Sequence, residues 1–307
     1  MGQKVILAGG SGFIGRALAP VLTEAGWEVV VLSRTPRDEA GPWREVLWNG
    51  ETGGAWAAEL EGAAAVVNLA GRSINCVHSL AHSREILESR LNAVAALGKG
   101  YARTKHPPPV WVQCSAAGFY GNAGDRFCDE SLGSGPGFLA EVCRCWEEAF
   151  AALPLPGVRR VVLRIGVVLD REHGAFPPLV TLVRRYLGGA AGTGRQFISW
   201  IHREDLLSIF ASALAQPEFS GVYNACAPGP VSNAEFMRAL RAALGRPWCP
   251  AAPEFVVRPF ASFLMKTEGN LILHGQRCKP QRLEEMGFHF KYPQLAVALG
   301  DLVRKAP

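Results

Sequence analysis

At 307 residues, 49% of them hydrophobic and 19% charged, the chain is long enough to bury a large core and has the balance of a soluble globular enzyme. Its formal net charge of +5 is mild and its arginine pairs, such as Arg159-Arg160 and Arg184-Arg185, are dispersed, which excludes a nucleic-acid-binding stripe. No apolar run approaches the roughly 18 residues of a membrane span, no signal peptide is expected before the first strand, and Ile6 stands where an acylation signal wants Ser or Thr; a cytoplasmic protein with no membrane partner is the expectation.

The first element organises the rest. Val5-Ile6-Leu7-Ala8 is an apolar run without alternation, followed by glycines at 9, 12 and 15 and an amphipathic helix over 13–25. That is a buried strand, a tight turn and a helix N-terminus, whose free N–H groups and positive dipole end suit a phosphate. Gly9 serves the turn, Gly12 admits the pyrophosphate and Gly15 lets helix and strand pack closely. A purely structural turn is the alternative reading. The second strand, residues 27–32, ends in Ser33-Arg34 rather than in the carboxylate that holds an NAD ribose. A guanidinium pairs with a 2′-phosphate in a fork geometry and Ser33 adds a hydroxyl, so the cofactor expected is NADP.

Residues 36–62 read mostly as loop, with a short third strand near 44–48. The apolar run 63–71 reads as a parallel strand whose small terminal residues, Ala70 and Gly71, leave room for a cofactor. A helix over 83–101 follows, with Glu85, Arg90 and Asn92 read as surface residues. Then come a strand over 110–115, the segment Ala116-Ala117-Gly118-Phe119-Tyr120-Gly121, a helix over 137–152 and a strand over 160–165. Strands alternating with helices predict an α/β fold, a Rossmann-like doubly wound parallel sheet.

From about Asp170 prolines and glycines break the alternation. The stretch from Ser199 to Leu206 opens a helical run to Leu214, residues 222–225 read as a returning strand, and helices are expected near 233–244 and 280–286. Residues 1–170 with 198–227 are the expected cofactor-binding domain, and 171–197 with 228–307 a small, largely C-terminal substrate-side cap. The eight cysteines contain no C-x-x-C pair and are expected as free, mostly buried thiols. His78 and His82 share a face in a helical reading, but no acidic third ligand lies between them, so no metal site is expected.

The chain resembles the extended short-chain dehydrogenase/reductases, and within them the atypical branch of epimerase-family proteins. The resemblance is carried by Gly9-x-x-Gly12-x-x-Gly15, Val67-Asn68-Leu69-Ala70-Gly71, Glu88-Ser89-Arg90, Tyr120-Gly121, Leu163-Arg164-x-Gly166-Val167-Val168-Leu169, Gly192-x-Gly194-Arg195-Gln196, Ser199-Trp200-Ile201-His202, Asn233-Ala234-Glu235-Phe236 and Gly287-Phe288. It implies a Rossmann-like domain that binds NADP and a small C-terminal domain that completes a substrate pocket. The cofactor positions it carries over are Gly9, Gly12, Phe13, Ile14, Gly15, Ser33, Arg34, Leu69 and Ala70, together with Glu85, Arg90 and Leu163.

The proton machinery of extended members is missing. They use a Ser or Thr four residues before the Tyr-Gly pair and a Tyr-x-x-x-Lys on the next helix; here those places hold Ala116 and Phe138-Leu139-Ala140-Glu141-Val142-Cys143. Two alternatives stay open. One is an NADP-dependent oxidoreductase or epimerase acting on a small carbonyl or sugar-like substrate through an unusual acid, with Tyr120, Ser115, His202 or Glu141 as candidates. The other is a non-catalytic NADP(H)-binding protein that senses redox state or holds the cofactor as a structural ligand. A homodimer through sheet-flanking helices is expected by analogy alone.

Overall fold

The computed structural model describes residues 2–37, 41–263 and 268–304. Seven parallel strands make the central sheet: β1 Lys4–Ala8, β2 Glu28–Ser33, β3 Arg44–Leu47, β4 Ala65–Asn68, β5 Val110–Ala116, β6 Arg159–Ile165 and β7 Gly221–Ala225. They lie in the order β7-β6-β5-β4-β1-β2-β3. The apolar runs take central places because a parallel sheet is covered on both faces and has no wet side for a polar residue to occupy. Val5, Ile6, Leu7 and Ala8 of β1 are fully buried, as are Ala65, Val66 and Val67 of β4.

The order reverses between β1 and β4. From β1 the chain steps outward through β2 to β3, then returns to place β4 on the other side of β1, with Val5 opposite both Val29 and Ala65. Right-handed crossovers that run in opposite directions put their helices on opposite faces. Helix α1 (Phe13–Glu24) covers one face; α2 (Leu80–Tyr101) and α3 (Phe138–Ala151), packed against each other, cover the other. A reversal of this kind opens a crevice at the carboxyl ends of the two strands, the usual ligand site of an open α/β sheet.

The later part of the chain is more regular than its prolines imply. Helix α4 (Phe176–Arg184) lies in a stretch with no expected helix: Pro177 and Pro178 occupy its first turn, where no N–H is needed and proline's fixed φ is already helical. The stretch read as a helix from Ser199 begins instead as a strand. Trp200–His202 pairs in parallel with Val167–Leu169, and α5 (Arg203–Ala215) starts only afterwards, with the His202 ring as its N-cap. Helix α5 packs against α1.

Helix α6 (Asn233–Ala243) opens with a complete capping box between Ser232 and Glu235, which satisfies two otherwise free N–H groups. It is followed by α7 (Glu254–Phe263), α8 (Asn270–Leu273), α9 (Gln281–Glu285) and α10 (Leu295–Arg304). Phe176, Trp200, Phe236, Leu240 and Leu299 join α4, α6 and α10 in a second apolar core. A short parallel pair, Arg277–Cys278 with Phe127–Cys128, ties this region to the loop after β5. Among the described residues no helix is long and apolar enough to cross a membrane.

Candidate functional site

At the end of β1 the backbone turns on Gly9, whose φ of +73° favours glycine. Its N–H donates to the Leu32 carbonyl of β2 at 3.0 Å, and a Cβ at this position would stand 2.8 Å from Ala70 Cα across the crevice. A Cβ on Gly15 would lie 2.3 Å from the Gly10 carbonyl oxygen, so α1 reaches this depth only with glycine there. Gly12 is the N-cap of α1, with no side-chain cap and no acidic residue in the first turn. Its own Cβ position meets nothing closer than the Gly9 oxygen at 3.4 Å. Phe13, Ile14 and Gly15 therefore turn uncapped N–H groups and the positive dipole end toward an open approach, a geometry suited to an anion.

The facing wall is the exit of β4. Leu69 donates its N–H to Ala8, and the Ala70 N–H is taken by Asn68 Oδ1 at 3.1 Å, while Asn68 Nδ2 donates to Gln113 Oε1. This buried amide pair shapes the exit. Asn68 was quoted above only as part of a motif and Gln113 only as part of a strand, since nothing in the sequence signals that they meet. Arg90 is half-buried rather than on the surface. Its guanidinium donates to the carbonyls of Arg72 at 3.0 Å and Ile86 at 2.8 Å and lies 4.9 Å over the Trp146 ring; burial lowers its pKa. A Cβ on Gly71 would touch it, so Arg90 props the segment that carries Leu69 and Ala70. Glu85 is exposed and ion-paired with Arg72.

The structure thus gathers Gly9, Gly12, Phe13, Ile14, Gly15, Leu69 and Ala70 around one crevice, with Ser33 and Arg34 at the end of the adjacent β2. Ser33 is buried and its Oγ accepts the Thr35 N–H at 3.2 Å. Arg34 is exposed, with no hydrogen-bond or charge partner among the described residues, whereas the nearby Arg37 is ion-paired with Glu45. Leu163 is fully buried in the middle of β6, opposite Cys114 and Tyr223, where its side chain belongs to the core.

Tyr120, Ser115 and His202 are each engaged within the protein. Arg164 Nη1 donates to the Tyr120 hydroxyl, which in turn reaches the Asn224 amide oxygen at 2.8 Å and the Asp129 carbonyl at 2.9 Å. Burial pushes the Tyr120 phenol well above its ordinary pKa. The other edge of Arg164 grips Glu147 through two hydrogen bonds, 3.0 and 2.8 Å, and Ser115 Oγ donates to the same carboxylate at 2.6 Å. Ser115 and Tyr120 are therefore the two ends of one buried chain, Ser115–Glu147–Arg164–Tyr120, with the Arg164 guanidinium 3.4 Å from the centroid of the Phe119 ring. Nothing in the spacing of Glu147 and Arg164 announces this chain. His202 caps α5 through Nδ1, lies 3.8 Å from the Tyr292 ring centroid, and has its pKa lowered by burial. Glu141 is exposed and ion-paired with Arg144 on its own helix.

His78 and His82 do not share a helical face. His78 precedes the N-cap of α2, Ser79, and so lies outside the helix, although α2 starts at Leu80, three residues earlier than expected. Its Nε2 meets the Ile74 carbonyl, and His82 Nδ1 the Val77 carbonyl.

Comparison with known proteins adds the family. The chain is 35% identical over 306 residues to the epimerase family protein SDR39U1 of Bos taurus, covering 98% of this chain and all of that protein. The chain belongs to the epimerase family. The family model described as the NAD dependent epimerase/dehydratase family matches residues 5–138, and a model described as a domain of unknown function matches residues 252–302. Another epimerase family protein, YfhF of Bacillus subtilis, is 35% identical over 98% of both chains. Among solved structures, human SDR39U1 with NADPH superposes with a TM-score of 0.88 at 33% identity, covering 99% of this chain and 100% of that one. The nucleoside-diphosphate sugar epimerase of Corynebacterium glutamicum gives a TM-score of 0.79 at 32% identity, over 99% of this chain and 58% of that one. The fold seen here is thus the family's Rossmann-like α/β fold.

Proposed function

We propose that this epimerase-family protein binds NADP(H) in the crevice between β1 and β4 and acts as an oxidoreductase on a carbonyl or CH–OH group of a small molecule. The observation that carries the reading is the uncapped, acid-free N-terminus of α1 at the reversal of strand order, with Arg34, exposed and without a hydrogen-bond or charge partner among the described residues, at the end of the next strand. The N–H groups of Phe13, Ile14 and Gly15 would hold the pyrophosphate, and Gly9 and Gly12 give it access. Arg34, with Ser33 beside it, would take the 2′-phosphate. Leu69 and Ala70, held in place by Arg90, would line the opposite wall. When bound, NADPH supplies the reducing equivalents. The human relative crystallised with NADPH supports the same cofactor.

A second reading, a non-catalytic NADP(H)-binding protein, is favoured by one observation: Tyr120 and Ser115 spend their hydroxyls inside the fold, and His202 spends Nδ1 on the cap of α5. Calorimetric titration with NADPH and NADH, followed by nicotinamide absorbance on a panel of carbonyl and nucleotide-sugar substrates, separates the two. Selective NADPH binding with steady oxidation supports the oxidoreductase. The same binding without turnover on the whole panel supports the second reading, and absence of NADPH binding refutes both.

A further inference from the structure

A strap of chain lies against the first residue of α1. Residues 169–174 leave the sheet after β6 and close on themselves through an antiparallel bridge between Leu169 and Gly174. Asp170, 1% exposed, holds the strap from beneath: Oδ1 accepts the N–H groups of Glu172 at 2.9 Å and His173 at 2.7 Å, and Oδ2 accepts Arg203 Nη1 of α5 at 2.6 Å. On its other side Arg171 donates to the carbonyls of Leu302 and Asp301 in α10. The strap is thereby anchored to two helices.

Its tip lies on Phe13, the first residue of α1. A Cβ on Gly174 would stand 3.4 Å from Phe13 Cε1, and the His173 ring stacks on the Phe13 ring with centroids 5.5 Å apart and planes 17° from parallel. Asp170 Oδ1 is 3.4 Å from His173 Nδ1, which turns that edge of the imidazole inward. Nε2, at the opposite edge, has no partner among the described residues, and the side chain is 51% exposed. Packing on Phe13 needs only a flat apolar ring. With Nδ1–H turned to the Asp170 carboxylate, Nε2 of a neutral ring is an acceptor; the imidazolium carries a second N–H donor at Nε2, beside the first residue of the helix whose terminus would meet the negative charge of a bound dinucleotide.

We propose, on the strength of the cofactor reading above, that His173 is an additional ligand for the cofactor's pyrophosphate, reaching it from the strap as an imidazolium whose Nδ1–H faces Asp170 and whose Nε2–H faces the phosphate. The anchored strap presents the ring already ordered, so the contact loses little to ordering on binding. It also joins the cofactor to the segment leading into α4, so the strap would be held more firmly in the loaded protein.

The test uses the full chain with His173→Ala and His173→Phe, titrated calorimetrically with NADPH and with adenosine 2′-monophosphate, which has the 2′-phosphate but no pyrophosphate. Thermal melting first shows that both variants are folded; the Phe variant retains the stack on Phe13. A hydrogen bond to a charged group predicts about a tenfold weaker NADPH affinity in both variants, with adenosine 2′-monophosphate affinity unchanged. Wild-type NADPH affinity in His173→Phe would overturn the proposal, because the ring would then be packing alone. Equal weakening for both ligands would also overturn it, because the effect would not lie at the pyrophosphate. Failure of the wild-type chain to bind NADPH would instead defeat the cofactor reading itself, and the proposal with it.

Discussion

The guanidinium of Arg164 donates to the hydroxyl of Tyr120 at 2.9 Å, and both residues are buried, at 5% and 1% exposure. The tyrosine of the Tyr-Gly pair is thus the end of an internal charge-assisted chain that runs through Glu147 to Ser115. A phenol in this setting accepts from a permanent cation and donates its own O–H to the Asn224 amide oxygen or the Asp129 carbonyl. Its position, close to the end of β5, explains why sequence alone makes it look like an acid. Its neighbours give it another task.

Tyr120→Phe is accordingly expected to act on stability. It leaves an Arg164 N–H and the Asn224 oxygen without their partner, at a cost of about 1–3 kcal/mol. NADPH affinity should match the wild type. Urea unfolding and calorimetric titration measure the two; a variant as stable as the wild type would contradict the structural role.

Arg34→Ala tests cofactor choice. The side chain is exposed and has no hydrogen-bond or charge partner among the described residues, so its removal should leave the melting temperature unchanged. Loss of a charge-assisted fork to a 2′-phosphate predicts roughly 10- to 100-fold weaker NADPH binding, while NADH binding stays as it was. Equal loss for both nucleotides would remove Arg34 from the 2′-phosphate site.

Gly9→Ala combines two penalties. The residue sits at φ +73° and its new Cβ would stand 2.8 Å from backbone Cα of Ala70. Left-handed strain alone costs about 1–2 kcal/mol in an L-residue, and relieving the clash moves β1 and β4 apart at the crevice. The expected result is a lower melting temperature together with lost NADPH binding. Gly62→Ala is a control: it too has positive φ, +65°, but open space around the Cβ, so it should lose stability and keep binding.

His202 sets a pH dependence. Burial is the largest cause of its lowered pKa; the carboxylates of Glu204, Asp301 and Asp205 oppose the shift, and Arg203 adds to it. The folded state therefore resists a proton that the unfolded chain takes up near the ordinary value of 6.5. As pH falls below that value the unfolded state binds more protons and stability is lost, until pH drops through the lower folded pKa. His202→Asn keeps an N-cap acceptor but removes the titration. Melting curves from pH 7 to 5 should fall less steeply for the variant than for the wild type; parallel curves would mean that His202 does not contribute.

The parallel sheet and the glycine turn are legible in the sequence because they depend on local rules. Unbroken apolar runs at 5–8 and 65–67 can be buried only in a covered sheet, and three glycines spaced by three open a helix N-terminus whatever follows. The place of Arg34 just past the second strand is legible for the same reason, since that strand's end follows the turn and its helix directly. Tertiary structure alone decides what lies across long separations in sequence. It turns Arg90 inward under Gly71, joins Ser115 to Tyr120 through Glu147 and Arg164, starts α5 at Arg203 by pairing Trp200–His202 with Val167–Leu169, and lays His173 on Phe13. A side chain's proton and charge are set by the partners it meets inside the fold, and those partners come from segments that no local pattern connects.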